Sequence, residues 1–245
     1  MNVSALIPAR YASTRFPSKL VQALGGYSVI QRTYQSTLAS GLFDQVIVVT
    51  DHQDIADQIL AIDGQVIFSQ KAHESGSDRI AEAAHEIDTD IIVNVQGDEP
   101  FQDKSSLSAL IAAFNDPHVD VASMMFEIDE KEAGNPNAVK VVIDKMSNAL
   151  YFSRSPIPFN REKRDGLKYW KHIGIYAYRK ELLMAFTSWE KSFLEETEML
   201  EQLRLLEAGV KIKMVPTKHQ AIAIDTAEDL EQARVFLKKS RRDGE

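Results

Sequence analysis

The chain has 245 residues, of which 44% are hydrophobic and 26% charged, and its net charge is −8 at pH 7. This acidic balance argues against nonspecific binding of nucleic acid, and the absence of cysteine excludes disulfides and thiolate zinc sites. No apolar run approaches the roughly 18 residues of a membrane span and no signal peptide is recognisable, so we expect a soluble cytoplasmic protein without membrane insertion.

Segments with the patterns of strands and of helices alternate through the first half of the chain. Apolar runs predict strands at 3–7, 46–50, 66–68 and 91–95, and helical periodicity predicts helices at 28–39, 51–60, 75–87 and 104–114. Pro8 is expected to end the first strand. The alternation is typical of βαβ units, so we predict an α/β fold with a mostly parallel central sheet flanked by helices.

The pattern changes after residue 119, where strand-like runs dominate. Strands are predicted at 121–128, 139–143, 150–152 and 173–178, then helices at 180–186 and 194–206 and strands at 211–215 and 221–224. We interpret the part up to residue 178 as an excursion from the sheet with antiparallel strands. Thr226 and Asp229 resemble the capping box of a last helix.

Three cations, Arg10, Arg15 and Lys19, lie in the polar loop that follows the first strand. Ligands of open α/β sheets bind at the carboxyl edge of the strands, which is where this loop begins. Positioned cations and backbone N–H groups offset the charge of a triphosphate, so a nucleoside triphosphate is the expected ligand. A solvated basic loop is the alternative.

Two carboxylates follow predicted strands in the same way. Asp98 comes after the strand at 91–95, and Asp225 comes after the one predicted at 221–224. Mg²⁺ is typically held by one or two carboxylates together with substrate phosphates, and this pair fits that requirement. Each also has a simpler explanation, since Gly-Asp is common in turns and Asp is a favoured helix N-cap. Taken alone, the context of Asp225 favours the cap.

Other polar residues are ambiguous on their own. Ser75–Arg79 begins a predicted helix and could bind a base edge or a carboxylate, although capping by Ser77 or Asp78 explains it equally well. Arg154 follows a predicted strand and could pair with a substrate carboxylate. A lone His172 is more often a structural hydrogen bonder than a ligand. Glu198 and Glu201 are expected to share one face of the helix at 194–206.

Together these segments resemble one family over nearly the whole chain, the 3-deoxy-manno-octulosonate (Kdo) cytidylyltransferases, also called CMP-Kdo synthetases. Eight blocks occur in the same order: IPARYASTR (7–15), SGSDR (75–79), VNVQGDEP (93–100), NPNAVKVV (135–142), ALYFSRSPIP (149–158), HIGIYAY (172–178), LEQLR (200–204) and DTAEDL (225–230). Each block alone is a weak signal, but the ordered set is a strong one.

The resemblance implies a fold, a reaction and an assembly. The fold would be a glycosyltransferase A-like nucleotidyltransferase domain over the whole chain, with a dimerisation and sugar-acid subdomain inserted at about 134–178. The enzyme would transfer CMP from CTP to Kdo, giving CMP-Kdo and pyrophosphate for lipopolysaccharide biosynthesis. It would require Mg²⁺ and form a homodimer.

The resemblance also implies roles for individual residues. Catalysis would depend on Arg10, Lys19, Asp98 and Asp225. The nucleotide would be bound by Pro8, Ala9, Arg10, Arg15, Lys19, Ser75, Gly76, Asp78, Arg79 and Asp98. The sugar acid would contact Arg79, Gln96, Arg154, His172, Tyr176, Glu201 and Gln202. Asp98 and Asp225 would hold the metal, which reverses the preference for Asp225 as a cap.

The chain departs from the family pattern near the phosphate loop. Ser18 and Leu20 stand where the family usually has Gly and Pro, Tyr27 and Ser28 stand in place of Lys-Pro, and Ser77 replaces Thr. The departures leave the three expected cations intact and bear on substrate preference. The alternatives are a cytidylyltransferase for a related acid, such as 8-amino-Kdo or a nonulosonate, and a nucleotide-sugar-binding module without turnover.

Overall fold

The computed structural model describes residues 1–12, 16–164, 166–219 and 222–242, with side chains as far as Lys239. The chain divides into two compact units, one formed by residues 1–104 and 221–245 and the other by residues 105–220. Within the described ranges, no helix combines the length and the apolar character needed to span a membrane.

The secondary structure alternates between strands and helices. The strands are β1 (Val3–Ala9), β2 (Ala23–Leu24), β3 (Tyr27–Ser28), β4 (Gln45–Thr50), β5 (Gln65–Phe68), β6 (Ile91–Asn94), β7 (Val121–Ile128), β8 (Lys140–Ile143), β9 (Ala149–Ser153), β10 (Tyr169–Arg179) and β11 (Ile212–Thr217). The helices are α1 (Val29–Ala39), α2 (Gln53–Leu60), α3 (Gly76–Ala84), α4 (Lys104–Ala112), α5 (Glu130–Ala133), α6 (Lys180–Phe186), α7 (Phe193–Glu198), α8 (Gln202–Glu207) and α9 (Ala227–Arg242).

The first unit is built on four parallel strands in the order β6-β1-β4-β5. Most residues of β1, β4 and β6 are apolar and buried, as expected for parallel strands whose two faces are covered, whereas β5 at the edge of the sheet is partly exposed. Helices α1 and α3 pack against β1 and β4, and α2 packs against β4 and β5. The predicted α/β class and the mostly parallel sheet are therefore confirmed. Strand β1 runs to Ala9, past the end expected at Pro8.

The second unit is dominated by antiparallel pairing. Strand β7 pairs with β10 in antiparallel register and with β11 in parallel register, and β8 pairs antiparallel with both β9 and β10. The register of β7 and β10 shifts between Ile173 and Tyr176, where Gly174 lies. The insert predicted at 134–178 lies inside this unit, which begins earlier, at Ser105.

Two of the secondary-structure predictions are wrong. The helix predicted at 194–206 is two short helices, because Met199 adopts a left-handed conformation with φ 53° that ends α7. Glu198 and Glu201 therefore do not share one helix face. The strand predicted at 221–224 is absent from the described part of this segment, because the N–H of Ile224 donates to the carbonyl of Asp98 instead of entering a ladder.

Candidate active site

Lys19 is placed by the loop that follows β1. It begins a short 3₁₀ helix that ends at Val21, and the preceding Ser18 adopts φ 55° and ψ 25°. Residues other than glycine seldom adopt this left-handed conformation, so Ser18 is a position that glycine would fit without strain. Arg15, predicted to share in triphosphate binding, lies outside the described residues.

Lys19 bridges the two carboxylates that were predicted to hold a metal. Its Nζ lies 2.5 Å from Oδ2 of Asp98 and 2.9 Å from Oδ1 of Asp225, and its side chain is only 13% exposed. Burial lowers the pKa of Lys19, but the charges and hydrogen bonds of the two carboxylates outweigh it, so that the pKa lies above its usual value. The structure thus brings Asp98 and Asp225 to one cation.

Backbone contacts hold the two carboxylates together. The N–H of Ile224 donates to the carbonyl of Asp98 at 2.9 Å, which joins the loop after β6 to the segment before α9. Next to Asp98, a Cβ on Gly97 would come within 3.1 Å of the carbonyl oxygen of Pro8. The loop therefore passes too close to β1 to accept a side chain at position 97 without displacing the backbone.

Asp225 is not the cap of the last helix. The hydroxyl of Thr226 accepts the N–H of Asp229 at 3.2 Å, and the Asp229 carboxylate accepts the N–H groups of Thr226 and Asp225. Thr226 is therefore the N-cap, as the predicted capping box requires. With the cap supplied by its neighbour, the carboxylate of Asp225 contacts Lys19.

The Asp98 and Asp225 carboxylates fit a magnesium ion, which prefers carboxylate and phosphate oxygens. Both reach one ammonium nitrogen, so the pair can also reach one metal ion. In the described part of the chain, no group of three or more acidic or histidine side chains is placed to hold a metal. A metal held by these two carboxylates would take its other ligands from substrate phosphates and water.

A pocket of about 220 Å³ in the first unit brings three of the predicted motifs together. Its lining combines the basic loop, the start of α3 and the loop after β6: Pro8, Arg10, Lys19, Leu20, His73, Glu74, Ser75, Gly76, Arg79, Gln96, Gly97 and Asp98. Ala9 and Asp78, also predicted to bind the nucleotide, are not part of the lining. The Asp78 carboxylate accepts the N–H of Ser75 and completes a capping box in which Ser75 is the N-cap.

Arg79 is buried at the wall of this pocket, with 5% of its surface exposed. Its Nη2 donates to Oδ2 of Asp51 at 2.8 Å, whereas its Nη1 has no hydrogen-bond partner among the described residues. Burial raises the pKa of Asp51, but the hydrogen bond and charge of Arg79 bring it below its usual value. A buried donor without a partner is costly, so Nη1 is suited to an acceptor atom of a ligand.

Two residues beside the predicted site, Asp51 and His73, were not predicted from the sequence. Asp51 directly follows β4, and it could have been found by the same rule that identified Asp98 after β6. His73 lines the pocket, and its Nε2 lies 2.6 Å from Oε2 of Glu82. Burial raises the pKa of Glu82, but hydrogen bonds from His73, Ser69 and the N–H of Gln70 outweigh it and lower the pKa to about 2.

In the second unit, His172 and Tyr176 lie against each other, with ring centroids 5.3 Å apart. Nε2 of His172 lies 3.1 Å from Oγ of Ser123, and its ring meets the edge of Phe152. Although the residue keeps some accessible surface, its ring is enclosed, and burial lowers the pKa of His172 to about 3. The imidazole is therefore neutral at physiological pH and offers hydrogen bonds, not positive charge.

Arg154 is held by backbone carbonyls of the second unit. Its guanidinium donates to the carbonyl oxygens of Glu198 at 2.8 Å, Pro136 at 3.2 Å and Met199 at 3.3 Å. The Glu198 carboxylate in turn accepts the Ser153 hydroxyl and the N–H of Arg154. The sequence left Glu198 unassigned; it fixes the position of Arg154.

Glu201 and Gln202 follow the break at Met199. Burial is the main reason why the pKa of Tyr176 lies well above its usual value, and the charges of Tyr178 and Glu201 add to this effect. Gln202 is 8% exposed, and no described residue provides a hydrogen-bond partner for its Nε2. The second unit therefore holds five of the seven residues predicted to contact the sugar acid, and the other two, Arg79 and Gln96, line the pocket of the first unit.

Comparison with known proteins gives the family. Residues 4–212 match the family model described as cytidylyltransferase. A 3-deoxy-manno-octulosonate cytidylyltransferase of Flavobacterium johnsoniae is 57% identical over 97% of this chain and 99% of its own length. The protein of the same name from Christiangramia forsetii is 50% identical over 96% of both chains.

A solved structure agrees with these relatives. It is described as CMP:2-keto-3-deoxy-manno-octonic acid synthetase complexed with CTP, and it matches with a TM-score of 0.94 and 36% identity. The match covers 98% of this chain and 100% of that one. The chain is thus a cytidylyltransferase, and it belongs to the 3-deoxy-manno-octulosonate cytidylyltransferase family.

Proposed function

We propose that this protein transfers CMP from CTP to the anomeric hydroxyl of Kdo and releases pyrophosphate. The observation that carries the proposal is one pocket at the carboxyl edge of a parallel sheet, where two cations, Arg10 and Lys19, lie with Asp98. Asp225 reaches the same ammonium group as Asp98. Cations for a triphosphate and carboxylates for its metal are what a nucleotidyl transfer requires.

The nucleotide is bound from three sides. Arg10 and Lys19 stabilise the negative charge that develops on the leaving pyrophosphate. Ser75 and Gly76 bring the start of α3 to the pocket wall, and Arg79 presents the donor Nη1 to an acceptor on the base or the ribose. Asp98 and Asp225 would hold Mg²⁺, which when bound polarises the α-phosphoryl group.

The sugar acid is the nucleophile, and its anomeric oxygen attacks the α-phosphorus in line. The chain contributes chiefly by positioning it. Arg79 and Gln96 in the first unit, and Arg154, His172, Tyr176, Glu201 and Gln202 in the second, are the proposed contacts. Because His172 is neutral, the carboxylate of the substrate depends on arginine for charge compensation and on His172 only for a hydrogen bond.

We further propose a homodimer that works in the cytoplasm, where its substrate CTP is available, and supplies CMP-Kdo for lipopolysaccharide assembly. Five of the most exposed large apolar side chains lie in the second unit and are candidates for its interface: Met146 (69% exposed), Leu150 (61%), Phe159 (85%), Phe193 (75%) and Met199 (75%). Exposed apolar side chains of this kind mark an interface where they form one contiguous patch.

The test is pyrophosphate release from each of the four nucleoside triphosphates with Mg²⁺, with and without Kdo. We expect release only with CTP and Kdo together. The variant Asp98→Asn, purified in parallel, should release no pyrophosphate, which would exclude a contaminating enzyme as the source of the activity. Release with CTP and only with 8-amino-Kdo or a nonulosonate would reassign the substrate. Binding of CTP without release on any acid would contradict enzymatic function and favour the binding module.

A further inference from the structure

The ammonium group of Lys19 contacts both carboxylates, Asp98 and Asp225, that would hold a metal ion. Its Nζ is within hydrogen-bond distance of one oxygen of each carboxylate, at 2.5 and 2.9 Å. The contact with Asp98 is largely shielded from water, because the side chains of Lys19 and Asp98 are 13% and 22% exposed, and the Asp225 side chain is 38% exposed. Lys19 therefore already neutralises part of the charge that would attract a metal ion.

The ammonium and a divalent cation exclude each other at this position. A metal ion held by the same two carboxylates would come within a few ångströms of the ammonium, and two cations at that distance repel strongly where little water screens them. Conversely, removal of Lys19 without a replacement would leave two partly buried carboxylates facing each other, which is unfavourable for the folded chain. One cation beside the two carboxylates is therefore favoured, and repulsion opposes a second.

We propose that Lys19 is a built-in counter-ion that occupies the metal position of the nucleotide-free protein and so makes metal binding depend on the triphosphate. The triphosphate attracts the Lys19 ammonium away from Asp98 and Asp225, which frees both carboxylates for the metal that arrives with the nucleotide. The inference rests on the proposed function, because it takes the triphosphate as the second partner of Lys19. A role for Lys19 confined to the triphosphate, or to stability, would leave metal binding in the absence of nucleotide unaffected.

The test is a titration of metal-free protein with Mn²⁺ in the absence of nucleotide. The concentration of free Mn²⁺ is measured by electron paramagnetic resonance at each step. We expect Lys19→Met to bind one Mn²⁺ on the order of tenfold more tightly than the unmodified protein. Adding Asp98→Asn to Lys19→Met should abolish that gain. Arg10→Met is the matched control, since it removes a cation from the same pocket but leaves the Lys19 bridge intact, and it should bind Mn²⁺ as the unmodified protein does.

Thermal unfolding provides the second readout and verifies that the variants fold. Lys19→Met and the smaller polar change Lys19→Gln should melt at lower temperature without metal and recover more than the unmodified protein when Mn²⁺ is added. Equal Mn²⁺ affinity in the unmodified protein and both Lys19 variants would overturn the proposal, as would an equal gain in Arg10→Met. The pyrophosphate assay tests the reaction separately, so a failure there is distinguishable from a failure of this competition.

Discussion

Arg79, which is buried, and Asp51, which is exposed, form an ion pair at the wall of the pocket in the first unit. Nη2 of Arg79 lies 2.8 Å from Oδ2 of Asp51, and the side chains are 6% and 43% exposed. The pair uses one end of the guanidinium and leaves the other, Nη1, without a partner among the described residues. By binding Nη2, Asp51 fixes the orientation of the Arg79 guanidinium, and Nη1 stays available to an acceptor atom of a ligand.

Replacing Asp51 by Asn should weaken CTP binding without changing the chemical step. Because the pair is partly exposed, we expect KM for CTP to rise roughly two- to fivefold with kcat nearly unchanged. Asp57→Asn, an exposed carboxylate on α2 that accepts a hydrogen bond from Gln53, is the matched control and should leave both constants unchanged. A fall in kcat with constant KM would show that Asp51 acts on the transition state.

Substitution of Asp225 should impair catalysis, whereas substitution of Asp229 should lower stability. Asp225→Asn removes a carboxylate from Lys19, and we expect pyrophosphate release to fall on the order of a hundredfold or more with the melting temperature little lowered. Asp229→Ala removes the capping box of α9 and should lower the free energy of unfolding by about 1 kcal/mol with kcat retained. The opposite assignment of effects would place the cap at Asp225 after all.

Glu198→Gln should affect the sugar acid and not the nucleotide. The Glu198 carboxylate accepts hydrogen bonds from Ser153 and from the N–H of Arg154, and its loss loosens the segment that positions Arg154. We expect KM for Kdo to rise and KM for CTP to stay constant, with the free energy of unfolding lowered by about 1–2 kcal/mol. Glu196→Gln, exposed on the same helix, should change none of these quantities.

His172 should make the protein less stable as the pH falls. Its folded-state pKa of about 3 lies below the ordinary value of 6.5, so the unfolded chain binds a proton that the folded chain refuses. Its contribution is constant above pH 6.5 and declines by up to about 1.4 kcal/mol per pH unit between pH 6.5 and 3. In urea unfolding at several pH values, His172→Gln should flatten this slope, whereas the exposed-site variant His118→Gln should keep it.

Ser18→Gly should stabilise the protein. Ser18 has φ 55° in a region where a Cβ is unfavourable, and glycine relieves this strain while adding some entropy to the unfolded chain. The net effect should be a gain of about 0.5–1 kcal/mol, measured as a higher melting temperature. A lower melting temperature would show that the serine side chain makes a compensating contact.

Local patterns predicted much of the first unit. The apolar runs of β1, β4 and β6 appear as buried parallel strands, and the helix predicted at 28–39 is α1, with Ser28 as its N-cap. The predicted basic loop and Asp98 meet in one pocket because both follow strands of the same sheet edge. These features depend on short-range sequence rules, so they were accessible without a structure.

Other features depend on contacts that no local pattern encodes. The break at Met199 occurs without the glycine or proline that usually marks a helix end. The run at 222–224 is as apolar as a strand, yet its backbone is bound by the carbonyl of Asp98. The bridge from Lys19 to Asp225 joins residues 206 positions apart, a distance over which sequence spacing carries no information.

That separation has a consequence for biosynthesis. Strands β1, β4, β5 and β6 are complete once residue 94 has left the ribosome, and they need no later residue to pair with one another. Lys19 and Asp98 can therefore meet while translation continues, but Asp225 has not yet been made. A nascent chain at that stage can form the contact of Lys19 with Asp98, and the bridge to Asp225 is completed only after the segment before α9 has been synthesised.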